Sequence, residues 1–427
     1  MTVTGRAMAA GAEPAPARAT LHIGPLSVPI WLWLPLTIFA VTRLYGFVVI
    51  SWAARNQVAL PSPAHPGIYQ FAAHPASPGY LALITNWDGQ WYQRIATWGY
   101  HLPAPGAPGL KDALSTYAFL PLFPTVVGAL MTLTGLSFAI CVTIVNLLAG
   151  GAAMVVMFLL VERSAGWFVA GTAVLLTCCF VVAPLFQAAY TESIALLLVC
   201  TVLLLVSRRR YGWALVVVVL LSLTRLVTPP LAVVVIVHAV MRFRNREGDP
   251  VRRAEVVAIA VLAVASAASV SLWSTITAVI TRGVKATAGS RGNVTSAVPA
   301  GRLGWFTNAY QHIGWIAVVG LGLLVVILVA LALSPWTRTW GVEVRTWLAV
   351  YPTYLLFVAG VDAGMLRYLL LAFPVALLMV GSPAPGTFPH KRAALVVVAS
   401  MIGLALQVPW AAHALVVTHF AGKPWLP

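Results

Sequence analysis

Residues 323–333 read Leu-Leu-Val-Val-Ile-Leu-Val-Ala-Leu-Ala-Leu. A membrane β-strand alternates apolar and polar residues over about 10 positions, and this run does not alternate. It lies in an apolar segment near 313–333, and about 20 such residues cross roughly 30 Å of hydrocarbon as a helix. Working outward, similar segments lie near 30–53, 118–134, 138–161, 166–186, 191–207, 212–226, 228–241, 254–277, 346–361, 367–381 and 393–415. The expected fold is therefore an all-α, polytopic integral membrane protein with 11 to 12 helical segments.

Composition agrees. The 427 residues are 60% hydrophobic and 8% charged, against about 25% charged in a soluble domain. Disorder needs the opposite balance. Most of the net charge of +16 comes in short clusters between apolar runs, such as Arg208-Arg209-Arg210, and marks cytoplasmic loops rather than a nucleic-acid surface, although Arg282, Lys285, Arg291 and Arg302 make the outer loop 278–312 more positive than that rule predicts. Cys141, Cys178, Cys179 and Cys200 lie inside apolar runs without metal-ligand spacing.

Residues 1–28 are expected to form a disordered cytoplasmic tail, followed by one transmembrane domain over 29–427. No cleavable signal peptide is evident. Two outer loops stand out, 54–116 and 278–312. The short segments 212–226 and 228–241, joined by Pro229-Pro230, suggest a hairpin turning within the membrane. Positive-inside topology requires an odd number of crossings between residues 117 and 162, so one segment there is partial.

The first outer loop holds the most unusual stretch. Residues 86–100 pack five aromatics, one acid and one base into fifteen positions. Trp91, Ile95 and Trp98 recur at helical spacing, which suggests an amphipathic helix at the membrane surface. Asp88 at its start is either a helix N-cap or a general base facing a substrate. Asp88 and Asp112 are the only acids of this loop.

The run Trp87-Asp88-Gly89-Gln90-Trp91-Tyr92, followed by Arg94-Ile95-Ala96 and Gly99-Tyr100, resembles the first-loop motif of PIG-V-type mannosyltransferases, membrane enzymes of the GT-C class. Three further segments resemble that family in the same order: Ala118-Phe119-Leu120-Pro121-Leu122-Phe123-Pro124, Ala189-Tyr190-Thr191-Glu192-Ser193, and Arg367-Tyr368-Leu369-Leu370-Leu371-Ala372-Phe373-Pro374. Two departures affect the acceptor side. Thr224-Arg225-Leu226-Val227-Thr228-Pro229 stands where relatives carry Arg-Pro-Asn/Thr-Gly, and Leu371 stands where Pro is usual.

The resemblance implies a GT-C-type helical bundle and inverting transfer of mannose from a polyprenyl-phosphate-mannose donor to a hydroxyl. The acceptor is left open among glycolipid, lipoglycan and protein. Asp88 is then the catalytic base, and Arg367 and Arg225 bind the donor phosphate. Trp87, Gln90, Trp91, Tyr92, Tyr190, Glu192 and Tyr368 are candidate substrate contacts. No metal or other cofactor is expected, because cationic side chains can stabilise the phosphate. The expected location is a bacterial plasma membrane, with the site on the extracytoplasmic face.

Structural readings stand beside these. Arg367 can pair with Asp362, and Arg225 with Glu192. Glu192 can complement a helix dipole. Arg43 is an intramembrane cation without a motif, and His312 sits at a helix edge. A lipid or small-molecule transporter, or a non-catalytic membrane subunit, remains the competing class.

Overall fold

The computed structural model describes residues 20–23, 26–60, 73–102, 115–281, 304–359, 364–383 and 389–418. Asp112, Asp362, His65 and most of the second outer loop lie outside the described residues. The chain is an all-α polytopic membrane protein. Among the described residues, five helices are long and apolar enough to cross a bilayer. The one sheet among the described residues is a two-stranded hairpin, Thr20–Ile23 with Leu26–Pro29, inside the segment expected to be a tail.

Helix α1 (Ile30–Ala53) is followed by the first loop, which carries the amphipathic helix α2 (Asp88–Trp98). Helix α3 (Leu122–Thr134) has 13 residues. At 1.5 Å per residue that is about 20 Å, short of the hydrocarbon thickness, and it fits the partial segment that the charge pattern requires.

Helix α4 (Phe138–Cys178) runs for 41 residues. Unbroken it would reach about 60 Å, twice the bilayer core. Gly166 divides it with φ 83°, a conformation open to a residue without Cβ. Its two arms correspond to the apolar segments at 138–161 and 166–186, and the second arm stops at Cys178.

Helices α5 (Glu192–Ser207), α6 (Tyr211–Ser222) and α7 (Pro229–Arg244) follow. Pro229 opens α7 at a position where its missing N–H costs nothing. The turn between α6 and α7 is thus non-helical backbone at 223–228, and Arg225 lies in that turn rather than within a helix. Next come α8 (Arg253–Ile280), α9 (Gly304–Ile313), α10 (Trp315–Leu333) and α11 (Val342–Val358). The last two are α12 (Met365–Met379), mostly 3₁₀, and α13 (His390–Leu415).

The core forms where α4 packs against α1 and α5. Helix α10 keeps most of its apolar surface outside, with Ile316 84% exposed, as expected where lipid is the solvent.

Arg43 in α1 is buried and finds backbone carbonyls rather than an acid. Its guanidinium donates to the carbonyls of Ala183 and Cys178, the second at the C-terminal end of α4, and it sits between the rings of Phe39 and Phe186. It satisfies orphan carbonyls that lipid cannot.

Candidate functional site

The four resembling segments, distant in sequence, meet at one place. The first is α2 with the turn before it. Trp87 precedes α2 at φ 58°, ψ −119°, outside the usual regions for a side-chain-bearing residue. This conformation is held from outside. The indole Nε1 of Trp87 donates to the Leu415 carbonyl at 3.1 Å, and Asn86 Nδ2 donates to the same carbonyl at 3.0 Å and to Gln57 Oε1 at 2.6 Å. Strained residues persist only where their surroundings over-determine them, and they cluster at functional sites.

The second segment supplies the floor. Trp91 stacks on Phe119 at 5.7 Å, and Tyr92 meets Phe119 and Phe123 edge-on at 5.2 and 5.0 Å. Trp87, Gln90, Trp91 and Tyr92 are all buried, so these four candidate contacts build the wall that carries Asp88. Burial, with the Asp88 and Glu192 carboxylates beside it, pushes the Tyr92 phenol up and keeps it protonated. Trp98 points the other way and is exposed.

The third segment lies directly against the first. Ala189 N–H donates to the Ile84 carbonyl at 2.8 Å. A Cβ placed on Gly89 would stand 2.8 Å from the Ala189 Cβ. Only glycine lets the start of α2 come this close to residues 188–190. Asn146 of α4 holds the same residues, donating from Nδ2 to the carbonyls of Ala188 and Tyr190. Motif reasoning passes over Asn146, although a lone amide inside a 41-residue apolar helix is itself a signal.

The fourth segment closes the site. Arg367 Nη1 donates to Asp88 Oδ2 at 2.5 Å. Asp88 is the first residue of α2, but no side-chain hydrogen bond caps that helix. The N-cap reading is therefore replaced by an ion pair with a residue 279 positions away. The alternative partner of Arg367, Asp362, lies outside the described residues.

Behind this pair sits a second one. Arg225 Nη1 donates to Glu192 Oε1 at 2.7 Å, with Thr191 Oγ1 at 3.4 Å. Glu192 opens α5 and is 1% exposed, so it faces Arg225 rather than solvent. Tyr368 lies between the two arginines, 4.6 Å from the Arg225 guanidinium and 5.3 Å from that of Arg367. Tyr190 lies 5.5 Å from Arg367. Helix α11 sets this turn in place: Tyr351 Oη donates to the Tyr368 carbonyl at 2.9 Å, and Trp347 Nε1 to the Leu371 carbonyl at 2.8 Å.

The two pairs differ in access. The side chains of Asp88 and Arg367 are 30% and 17% exposed, those of Glu192 and Arg225 1% and 10%. Three buried polar atoms of the cluster lack a hydrogen-bond partner: Tyr190 Oη, Glu192 Oε2 and Arg367 Nε. Buried polar atoms are rarely left unpaired, and a polar ligand would satisfy such a set. Among the described residues no three His, Cys, Asp or Glu side chains converge as metal ligands. His312 is exposed at the end of α9.

No protein-family model matches the chain, and no curated protein matches it. Among solved structures it is similar to the archaeal oligosaccharyltransferase AglB from Archaeoglobus fulgidus, determined with an inhibitory peptide and a dolichol-phosphate. The similarity covers 90% of this chain at 12% identity, with a TM-score of 0.47. The chain spans about half the length of that structure, 56%.

Proposed function

We propose that the chain is an integral membrane glycosyltransferase of the GT-C kind, taking its sugar from a polyprenyl-phosphate donor. The observation that carries this reading is the convergence of four short segments, each similar to a transferase motif, on one half-exposed carboxylate beside an arginine. Mannose as the sugar rests on the sequence resemblance alone. The acceptor is a hydroxyl of a glycolipid, lipoglycan or protein.

The chemistry follows from the two accessible groups. An acceptor hydroxyl attacks the anomeric carbon while its proton passes to the Asp88 carboxylate. The bond from that carbon to the phosphate oxygen breaks, and the electron pair leaves with the polyprenyl phosphate. One displacement inverts the centre and needs one carboxylate, unlike the two of a glycosidase. Arg367, with Arg225 behind it, stabilises the charge on the departing phosphate. Tyr190 and Tyr368 line the sugar side, and Glu192 positions Arg225. The reaction as written requires no metal. The site faces the extracytoplasmic side of a bacterial plasma membrane in this reading.

Transfer is tested in membranes holding the wild type or Asp88→Asn at matched expression, supplied with radiolabelled polyprenyl-phosphate-mannose and native lipid extract. Loss of at least about a hundredfold in Asp88→Asn is expected for a general base. Equal labelling by both proteins would sink the assignment. Labelling by neither removes mannose from the reading, and strengthens a transporter or a non-catalytic subunit.

A further inference from the structure

Helix α5 carries the candidate site at Glu192 and runs for 16 residues to Ser207. That is about 24 Å of the roughly 30 Å hydrocarbon core. At this far end Arg163, Ser207, Arg208, Arg209 and Arg210 line a cavity of ≈ 400 Å³. Arg163 closes the first arm of α4, just before the Gly166 break, and the three consecutive arginines form the turn from α5 to α6. Arg209 adopts φ 58° there, which makes the turn tight.

The local acids leave two of these arginines, Arg163 and Arg210, unmatched. Arg209 pairs with Asp249 at 2.6 Å, and Asp249 is shared with Arg242 at 3.2 Å. Glu162 is half-buried beside Arg163 and has interactions of its own. Arg163 and Arg210 have no carboxylate partner among the described residues.

A second cavity of ≈ 710 Å³ adjoins the first and shares Arg209 and Arg210 with it. Its remaining lining is mostly apolar, with Trp213, Val216, Ala254 and Ala258 between α6 and α8; its one acid, Glu255, is paired with Arg242 at 3.0 Å. Trp213 is 68% exposed, and Trp167, four positions after Arg163, is 48% exposed. Indoles in that position mark the membrane interface. A charged cavity continuous with an apolar cleft at the interface fits one amphiphile better than a free anion. Arginine forks take the phosphate, and the cleft takes the first part of a chain.

We infer that this end of the bundle holds a phosphate-bearing anionic lipid, on the membrane face opposite the candidate site. The cavity is separate from the Asp88 site and does not depend on its assignment. Arginines near an anionic lipid surface contribute roughly additively to binding, so removing the two unpaired ones is the sharpest perturbation. Both are exposed, and neither supports the core.

The test is native mass spectrometry of the full chain in detergent, titrated with phosphatidylglycerol, phosphatidylcholine or inorganic phosphate. The proteins are the wild type, Arg163→Gln/Arg210→Gln, and the charge-matched control Arg244→Gln/Arg246→Gln. Those two control arginines are exposed and line neither cavity. Wild type and control should each retain one phosphatidylglycerol in preference to phosphatidylcholine. The cavity variant should bind it about thirtyfold more weakly. Equal loss in the control would reduce the effect to diffuse surface charge and overturn the site. So would undiminished binding by the cavity variant, or equal retention of phosphatidylcholine. Capture of inorganic phosphate without phosphatidylglycerol would overturn the lipid assignment.

Discussion

Asp88 and Arg367 share a hydrogen-bonded ion pair at 2.5 Å, across 279 residues of chain. The pair joins the loop after the first membrane helix to the short helix before the last. In the proposed reaction the two members part, because the carboxylate takes a proton and the guanidinium meets a phosphate. A donor phosphate competes with Asp88 for Arg367, so donor binding frees the base. Arg367→Lys keeps the charge but loses the planar fork that matches phosphate. It is expected to lower kcat/KM for the donor by about tenfold or more, roughly one lost charge-assisted hydrogen bond. Unchanged donor kinetics in this variant would take Arg367 out of phosphate binding.

The pair behind it is a matter of stability. Removing one partner of a buried ion pair leaves an uncompensated charge and costs about 3–5 kcal/mol. Glu192→Gln should therefore lower the Tm in detergent strongly, since its partner Arg225 is buried with it. The double variant Glu192→Gln/Arg225→Met removes both charges and should recover part of the loss. A single variant as stable as the wild type would show that the pair holds nothing together.

The contact at Gly89 gives a steric test. Its Cβ in Gly89→Ala would meet the Ala189 Cβ at 2.8 Å, and overpacking of this kind costs about 1–3 kcal/mol. Ala189→Gly removes the opposing atom. The pair Gly89→Ala/Ala189→Gly should regain transfer activity that Gly89→Ala alone loses. If the second change rescues nothing, the close approach of α2 to residues 188–190 is not what sets Asp88 in place.

Asn146 is expected to act through the backbone that it holds. Asn146→Ala leaves the carbonyls of Ala188 and Tyr190 without its amide, at about 1–3 kcal/mol for an unsatisfied buried group. Lower thermal stability together with faster hydrogen exchange at residues 188–191 is the expected result. Wild-type exchange across that stretch would dismiss the role.

A pH effect is expected outside the membrane-spanning segments. The hydrogen bond from Arg209, ahead of its charge and that of Arg242, holds the Asp249 carboxyl below the usual carboxylate range. A lowered folded-state pKa stabilises above the unfolded value, and the gain is lost as pH falls through the folded one. Asp249→Asn should therefore flatten the acid side of the stability profile, followed as Tm against pH. An identical acid limb in both proteins would exclude this contribution.

Much of the architecture was legible because membrane helices are written locally. Apolar length separated the spanning segments, and basic clusters punctuated them. The 13-residue α3 appeared where charge counting required a partial crossing. The α6–α7 turn behaved less simply. Pro229-Pro230 looked like the bend itself, yet it starts α7, and the turn lies one step earlier at Arg225. An N-terminal proline and a breaking proline look alike in sequence, because both lack the N–H and differ only in which side continues as helix.

The sequence by itself determined the class, an apolar helical chain made for a bilayer, and marked the short segments that break the pattern. Which of their residues touch was decided by tertiary structure. Asp88 had a plausible local use as a cap, and only the approach of α12 made Arg367 its partner. Arg43, an intramembrane cation without a motif, had no assigned partner in sequence, and the fold gave it the carbonyls at the end of α4. The physical reason is range. Apolar length and helix capping act within a few turns of one segment, whereas an ion pair in a poorly hydrated site is fixed by whichever charge the packing brings within hydrogen-bond distance.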